Sequence, residues 1–205
     1  YGAPGQSFVM EGGTYTFKEG LTVLRGVDGT EDAPIVLAPA EGERAVLDFA
    51  KEGTGLQIWG DYWHIKNIDV CNASDGNCGI RLSGHHNILE GIKTYNNGNT
   101  GLQVSGTSEE TIDMWPSDNL ILNCTSYNNC DEAMEDADGF AAKLTCGEGN
   151  VFRGCIAAYN ADDGWDLFAK IATGKIGAVT IEDCVAFKNG YVYDESGSVI
   201  DAGNG

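Results

Sequence analysis

Four stretches decide the fold when set one above another: Asn87-Ile-Leu-Glu-Gly-Ile-Lys-Thr-Tyr-Asn96, Asn119-Leu-Ile-Leu-Asn-Cys-Thr-Ser-Tyr-Asn128, Asn150-Val-Phe-Arg-Gly-Cys-Ile-Ala-Ala-Tyr-Asn160 and Val179-Thr-Ile-Glu-Asp-Cys-Val-Ala-Phe-Lys-Asn189. Each is an apolar run, a Gly or Cys, a short strand pattern and a closing Asn. A second strand follows a turn, as in Gly79-Ile-Arg-Leu-Ser-Gly84, Gly101-Leu-Gln-Val-Ser-Gly106, Gly139-Phe-Ala-Ala-Lys-Leu144 and Gly164-Trp-Asp-Leu-Phe168. Asn72, Asn96, Asn128, Asn160 and Asn189 recur at intervals of 24, 32, 32 and 29 residues, the longer ones carrying inserted loops. A unit of this length, made of strands and turns with no helix, belongs to a solenoid in which every coil adds one strand to each of several parallel sheets. The expectation is an all-β, right-handed parallel β-helix solenoid, with residues 1–205 as a single domain. Residues 1–60 agree in kind, with short β-like runs at Ser7–Met10, Thr14–Phe17, Leu21–Leu24 and Pro34–Leu37 between turn residues. Stacked coils superimpose equivalent residues, so the five Asn are expected to form a hydrogen-bonded ladder inside a turn. Cys124, Cys155 and Cys184 should form a buried column.

Alternation along strands sorts the faces. Ile80 with Leu82, Leu102 with Val104, Phe140 with Ala142 and Leu144, and Trp165 with Leu167 share the inward parity. Arg81, Gln103, Ala141, Lys143 and Asp166 then point outward, so acid and base share one external groove. Beside that groove Asn160-Ala-Asp-Asp-Gly-Trp-Asp-Leu-Phe168 crowds three carboxylates about a glycine turn, and Asp138 lies 24 residues before Asp162. Stacking would bring Asp138, Asp162, Asp163 and Asp166 within about 5 Å, where each ionised pair repels by roughly 3 kcal/mol at an effective dielectric near 20. Such a set either holds protons or holds a hard divalent ion. Calcium is expected, because it tolerates irregular carboxylate sets better than magnesium does.

Composition narrows the partners. With 29 Gly, four Pro and no run of 18 apolar residues in 205, the chain is turn-rich and carries no membrane-spanning segment. A formal net charge of −19 argues against nucleic acid and anionic membranes. An acidic polysaccharide is still compatible, since salt screens exposed charge beyond about 8–10 Å and a bound cation reverses the local field. Cys71 with Cys78, and Cys124 with Cys130, are near enough in sequence to be possible bridges, though neither pairing is favoured. Asp131, Glu132, Glu135 and Asp136 read as a solvated charge run. His64, His85 and His86 lack the spacing of a metal site. Trp165 reads as interior, and Trp115, in loop 107–118, as a candidate for stacking on a sugar.

The runs Asp138-Gly-Phe-Ala-Ala-Lys143, Gly149-Asn-Val-Phe-Arg-Gly-Cys155 and Asn160–Phe168 resemble the pectate lyases of polysaccharide lyase family 9. The similarity covers roughly residues 60–205 and is strongest over 138–168. It implies β-elimination on polygalacturonate, with calcium held by Asp138, Asp162, Asp163 and Asp166. It also places a lysine base after a Gly-Asn-Gly-Phe stretch, hence at the second residue past Gly205. The chain is therefore expected to be truncated at its C-terminal end, and also at Tyr1, which shows neither Met, signal segment nor capping helix. Within the sequence, Lys143 is the candidate base; its other reading is a lysine that binds a substrate carboxylate or pairs with the aspartates. Arg81 and Gln103 are candidate uronate binders further along the groove. A polymeric substrate implies a secreted, extracellular protein, read here as a monomer. Two alternatives stand: a β-helical hydrolase using Asp162 or Asp163 with Asp138 as acid and base, and a non-catalytic, calcium-stapled carbohydrate-binding solenoid.

Overall fold

Runs of two to five residues cannot stand as isolated sheets, and here all but the last two strands gain stability by parallel pairing with their equivalents in the neighbouring coils. The computed structural model describes residues 2–201, 203 and 204. The first coil contains β1 (Ser7–Met10), β2 (Gly13–Thr16) and β3 (Leu21–Val23), and the second β4 (Ile35–Pro39), β5 (Ala45–Asp48) and β6 (Leu56–Ile58). The third contains β7 (Trp63–Lys66), β8 (Ile68–Cys71) and β9 (Ile80–Leu82), and the fourth β10 (Ile88–Glu90), β11 (Lys93–Tyr95) and β12 (Leu102–Val104). The fifth has β13 (Leu120–Leu122), β14 (Thr125–Tyr127) and β15 (Phe140–Ala142); the sixth has β16 (Asn150–Arg153), β17 (Ile156–Ala158) and β18 (Trp165–Asp166). A seventh adds β19 (Val179–Glu182) and β20 (Val185–Phe187), followed by an antiparallel pair, β21 (Val192–Tyr193) and β22 (Val199–Asp201). The first strands of the coils form one seven-stranded sheet, the second strands another, and the third strands a six-stranded sheet. The solenoid therefore starts at Ser7, two coils before the repeat becomes visible in the sequence at Trp63.

One-residue alternation fills the interior. Ile35, Ile58, Ile65, Ile80, Leu82, Leu89, Leu102, Val104, Ile121, Phe140 and Phe152 are all at most 1% exposed, and each buried side chain of this size contributes about 1.5–3 kcal/mol. Leu167 departs from the inward expectation. It lies beyond the end of β18 and is 43% exposed, and Leu144, at a positive φ of 64°, is only half-buried. The cysteine column forms, but only in part as a buried one: Cys124 and Cys155 are buried, whereas Cys184, whose Sγ accepts from the Cys155 amide at 3.3 Å, is half-buried. All seven thiols are free.

The asparagines form a ladder, but in a different register from the one expected. Asn97 Nδ2 donates to Asn129 Oδ1 at 2.9 Å, Asn129 Nδ2 to Asn160 Oδ1 at 2.8 Å, and Asn160 Nδ2 to Asn189 Oδ1 at 2.9 Å. Asn72, Asn96 and Asn128 sit one residue earlier, in a column of left-handed residues with φ near 55° that continues through Tyr159 and Lys188. Asn tolerates that conformation better than most residues, which explains the Asn-Asn pairs at 96–97 and 128–129. A second ladder runs through Asn87, Asn119 and Asn150, with Asn119 Nδ2 donating to Asn150 Oδ1 at 2.9 Å. The glycines before the third strands follow from the first ladder. A Cβ on Gly139 would stand 2.8 Å from Asn160 Nδ2, and one on Gly79 2.5 Å from Asn97 Nδ2.

Candidate active-site groove and metal centre

The ladder turn delivers the chain into the third sheet at a fixed level, so the residue before each glycine occupies the same place in every coil. Leu102 pairs with Phe140 and Phe140 with Trp165; Thr100, Asp138 and Asp163 therefore stack, each one residue before its glycine. The Gly101 amide donates to Asp138 O and the Gly139 amide to Asp163 O, both at 2.9 Å. Asp162 adds a third carboxylate at the next position. Asp138, Asp162 and Asp163 each offer an oxygen within 4.8 Å of the others.

Asp138 is fully buried. Its Oδ2 accepts from Thr100 Oγ1 and from Lys143 Nζ, each at 2.8 Å, while Oδ1 is buried with no hydrogen-bond partner. A buried acceptor left unpaired costs about 1–3 kcal/mol, more when charged. Calcium–oxygen bonds are about 2.3–2.6 Å long, so ligands on one ion can stand up to about 5 Å apart; magnesium at about 2.0–2.1 Å allows only about 4 Å. Three carboxylate oxygens within 4.8 Å of one another, with an orphaned buried oxygen on one of the three aspartates, are a donor set that a hard divalent cation fits.

Asp166 is not in that three-oxygen set. It points outward from β18 and accepts from Lys143 Nζ through Oδ2 at 2.7 Å, so one ammonium bridges Asp138 and Asp166. Burial pulls the lysine's pKa down, but the two aspartates outweigh that and carry it well above its ordinary value. Burial pushes Asp138 up, against the opposing pull of Lys143 and the Thr100 hydroxyl. Burial, then the charges of Asp138 and Asp163, raise Asp162 to about 7. Asp163 is also raised, by burial and then by Asp166. The corner stores repulsion that a cation would relieve.

From Asp166 the outward column of the third sheet runs through Ala141, Gln103 and Arg81 to Gln57. Gln103 Nε2 donates to Ser105 Oγ at 2.7 Å. Arg81 donates Nε to Ser105 O at 3.4 Å and Nη2 to Gly106 O. The groove thus joins the candidate uronate binders to the acidic corner, with Gln103 two coils and Arg81 three coils away from Asp166. Thr100 was not singled out from sequence, although the residue preceding each aligned glycine would have found it. Asp131 is not a solvated charge: it is 9% exposed and accepts from the amides of Ala133, Glu135 and Asp136, shaping the loop that leads to Asp138. Trp115 is 6% exposed, and its Nε1 donates to Thr107 O and Glu110 O, so it plugs its own loop and presents no stacking face.

Comparison with known proteins agrees with this architecture. The family model described as "Pel9A-like, right handed beta helix region" matches residues 1–205. Pectate lyase L of Thermoclostridium stercorarium is 45% identical over 191 residues, covering 93% of this chain and 15% of that protein. Pectate lyase L of Paenibacillus polymyxa (strain SC2) is 44% identical over 210 residues, covering 99% of this chain and 46% of that protein. The crystal structure of pectate lyase Pel9A superimposes with a TM-score of 0.80 at 34% identity, covering 98% of this chain and 50% of that one. The chain thus spans half or less of the length of these relatives. With every residue from 1 to 205 matched and the coils, sheets and corner already in place, the chain belongs to the Pel9A-like right-handed β-helix family.

Proposed function

We propose that this chain serves the β-elimination cleavage of an acidic polysaccharide, pectate or polygalacturonate, with calcium held by Asp138, Asp162, Asp163 and Asp166. The observation that carries the metal assignment is the orphaned Asp138 Oδ1 beside two further carboxylates. The pectate lyase relatives carry the choice of reaction and substrate. Calcium bound at this corner would draw charge from the uronate C6 carboxylate and so acidify the C5 proton. Lys143, kept charged by two aspartates, cannot accept that proton while it remains an ammonium. Its role in this reading is to hold Asp138 and Asp166 in place and to offer a donor to the substrate carboxylate. Gln103 and Arg81 orient further sugar units along the column. A polymeric substrate places the protein outside the cell, and we propose that it acts there as a monomer. Among the described residues no helix is long and apolar enough to cross a membrane.

Calorimetry with calcium on the 205-residue chain, with and without polygalacturonate, tests the proposal. Saturable calcium uptake, lost in the Asp162→Asn, Asp163→Asn double variant, is expected, with uronan binding that requires calcium. Unsaturated product seen by ultraviolet absorbance marks elimination. Reducing ends without that absorbance would mean hydrolysis, and a chain that takes up no calcium would refute the metal assignment.

A further inference from the structure

At the end of the groove remote from the acidic corner, two arginines converge on one indole. Arg25 Cζ and Arg81 Cζ each lie 5.4 Å from the ring centroid of Trp59, which follows β6. Trp59 is half-buried, and its Nε1 donates to Gln57 Oε1 at 3.2 Å. Arg25 donates Nη2 to Glu110 Oε1 at 2.9 Å, and Arg81 is fixed by the Ser105 and Gly106 carbonyls. A guanidinium carries five N–H donors, so among the described residues each arginine keeps most of its donors uncommitted. A guanidinium held over an indole face still has N–H donors whose planar fork matches a carboxylate. Glu110 offsets one of the two charges, which leaves the cluster with a net positive charge in a chain whose total is −19.

The position of the cluster supplies the second half of the argument. Three strand spacings, about 14 Å at roughly 4.8 Å each, separate Arg81 from Asp166 through Gln103 and Ala141, neither of which is charged. A polyanion lying across the strands would therefore meet a cationic clamp at one end and the carboxylate corner at the other. We infer that Arg25, Trp59 and Arg81 form a distal uronate subsite, with Trp59 as the platform that holds the two guanidinium groups. It takes a sugar carboxylate several units away from the reacting bond. This inference rests on the proposed uronan-cleaving function and deepens it by giving the groove a minimum ligand length.

Oligogalacturonates of two and six units, titrated into the full 205-residue chain in calcium, test it. Only the longer ligand can reach both ends, so it should bind at least about tenfold more tightly, the worth of one good charge-assisted contact. R25Q, at an exposed side chain, and R81K, which keeps the charge but loses the fork, should each remove most of that advantage. Calcium binding should not change in R25Q, which also shows that this variant folds. A fully methyl-esterified six-unit ligand should bind R25Q and the parent chain alike; an equal loss on the neutral ligand would overturn carboxylate recognition. If R25Q and R81K bind the acidic six-unit ligand as the parent does, the subsite is wrong while the calcium-dependent function stands. If the parent chain binds neither oligomer, both fall.

Discussion

Asp138 is asked to be two things at once: one oxygen is committed to a hydroxyl and an ammonium, and the other is buried with no donor. Beside it, burial and then the Asp138 charge raise Asp162 to about 7. A carboxyl whose value is raised on folding contributes stability that is full below its unfolded value near 3.9 and is lost as pH rises through the folded value. In chelator, the melting midpoint should therefore fall between pH 5 and pH 8. Asp162→Asn should flatten that fall, and calcium should restore the midpoint at pH 8 in the parent chain only. A midpoint that climbs over this range in chelator would contradict the account. Lys143 permits a second test, because removing one member of a buried pair strands the other. Lys143→Met should cost about 3–5 kcal/mol in urea denaturation of the metal-free chain, with much of the loss recovered in saturating calcium. Of the four aspartates, Asp166, expected beside the others, stands apart on Lys143; the convergence of Asp138, Asp162 and Asp163 was legible in the sequence, because two of them share one turn and the other precedes an aligned glycine. The division of labour among them was not: which oxygens face one another and which face Lys143 depends on side-chain directions that no spacing encodes.

At the scale of elements, the asparagine ladder separates two roles that look alike in the sequence. Asn96-Asn97 and Asn128-Asn129 are pairs, whereas Tyr159-Asn160 and Lys188-Asn189 carry a single Asn; aligning the end of each run on its first or only Asn merges the left-handed column with the ladder. Only stacking tells them apart, because the rungs bond from coil to coil and the left-handed residues make a local turn. Asn129 is fully buried; its Oδ1 accepts from the Asn97 amide and Nδ2, and its Nδ2 donates to Ser126 Oγ and Asn160 Oδ1. Asn129→Ala should cost about 3 kcal/mol or more, since it removes these bonds and strands buried partners. Asn128 is exposed with φ 55°, so Asn128→Gly should be close to neutral. Denaturant midpoints for the two variants decide the matter, and equal losses would mean that the ladder runs through the other column. The same lack of local marking hides the first two coils. Their strands pair in register with the rest, but they lack the Asn and Cys punctuation that makes the later units visible.

At the scale of the whole molecule, strand pairing is one-dimensional, each coil bonded to its neighbours, with a few side-chain links that span further, such as Arg25 to Glu110 and the Glu132 amide to Asp75. The acidic corner belongs to the joint between the fifth and sixth coils. That joint is closed by the Gly139 amide on Asp163 O at 2.9 Å, the Phe140 amide on Gly164 O at 3.0 Å and the Asp162 amide on Ala137 O at 3.1 Å, and by Phe140 stacked on Trp165 at 5.0 Å. A cation bound there stabilises the closed joint by mass action, about 2.7 kcal/mol at one hundred times its dissociation constant. Hydrogen exchange of backbone amides should show this as a local effect. Exchange at Gly139, Phe140 and Asp162 should slow by up to about a hundredfold in saturating calcium, with a smaller effect at Gly190, whose amide donates to Asp162 O at 2.8 Å. The strand amides of the first three coils, such as Leu56 bonded to Gly79 O, should change little, because the strand pairing that connects them to the corner crosses two intervening joints. Uniform slowing from Ser7 to Phe187 would instead mean that the coils open as one unit, and the nearest-neighbour picture would fail even if calcium binds where it should.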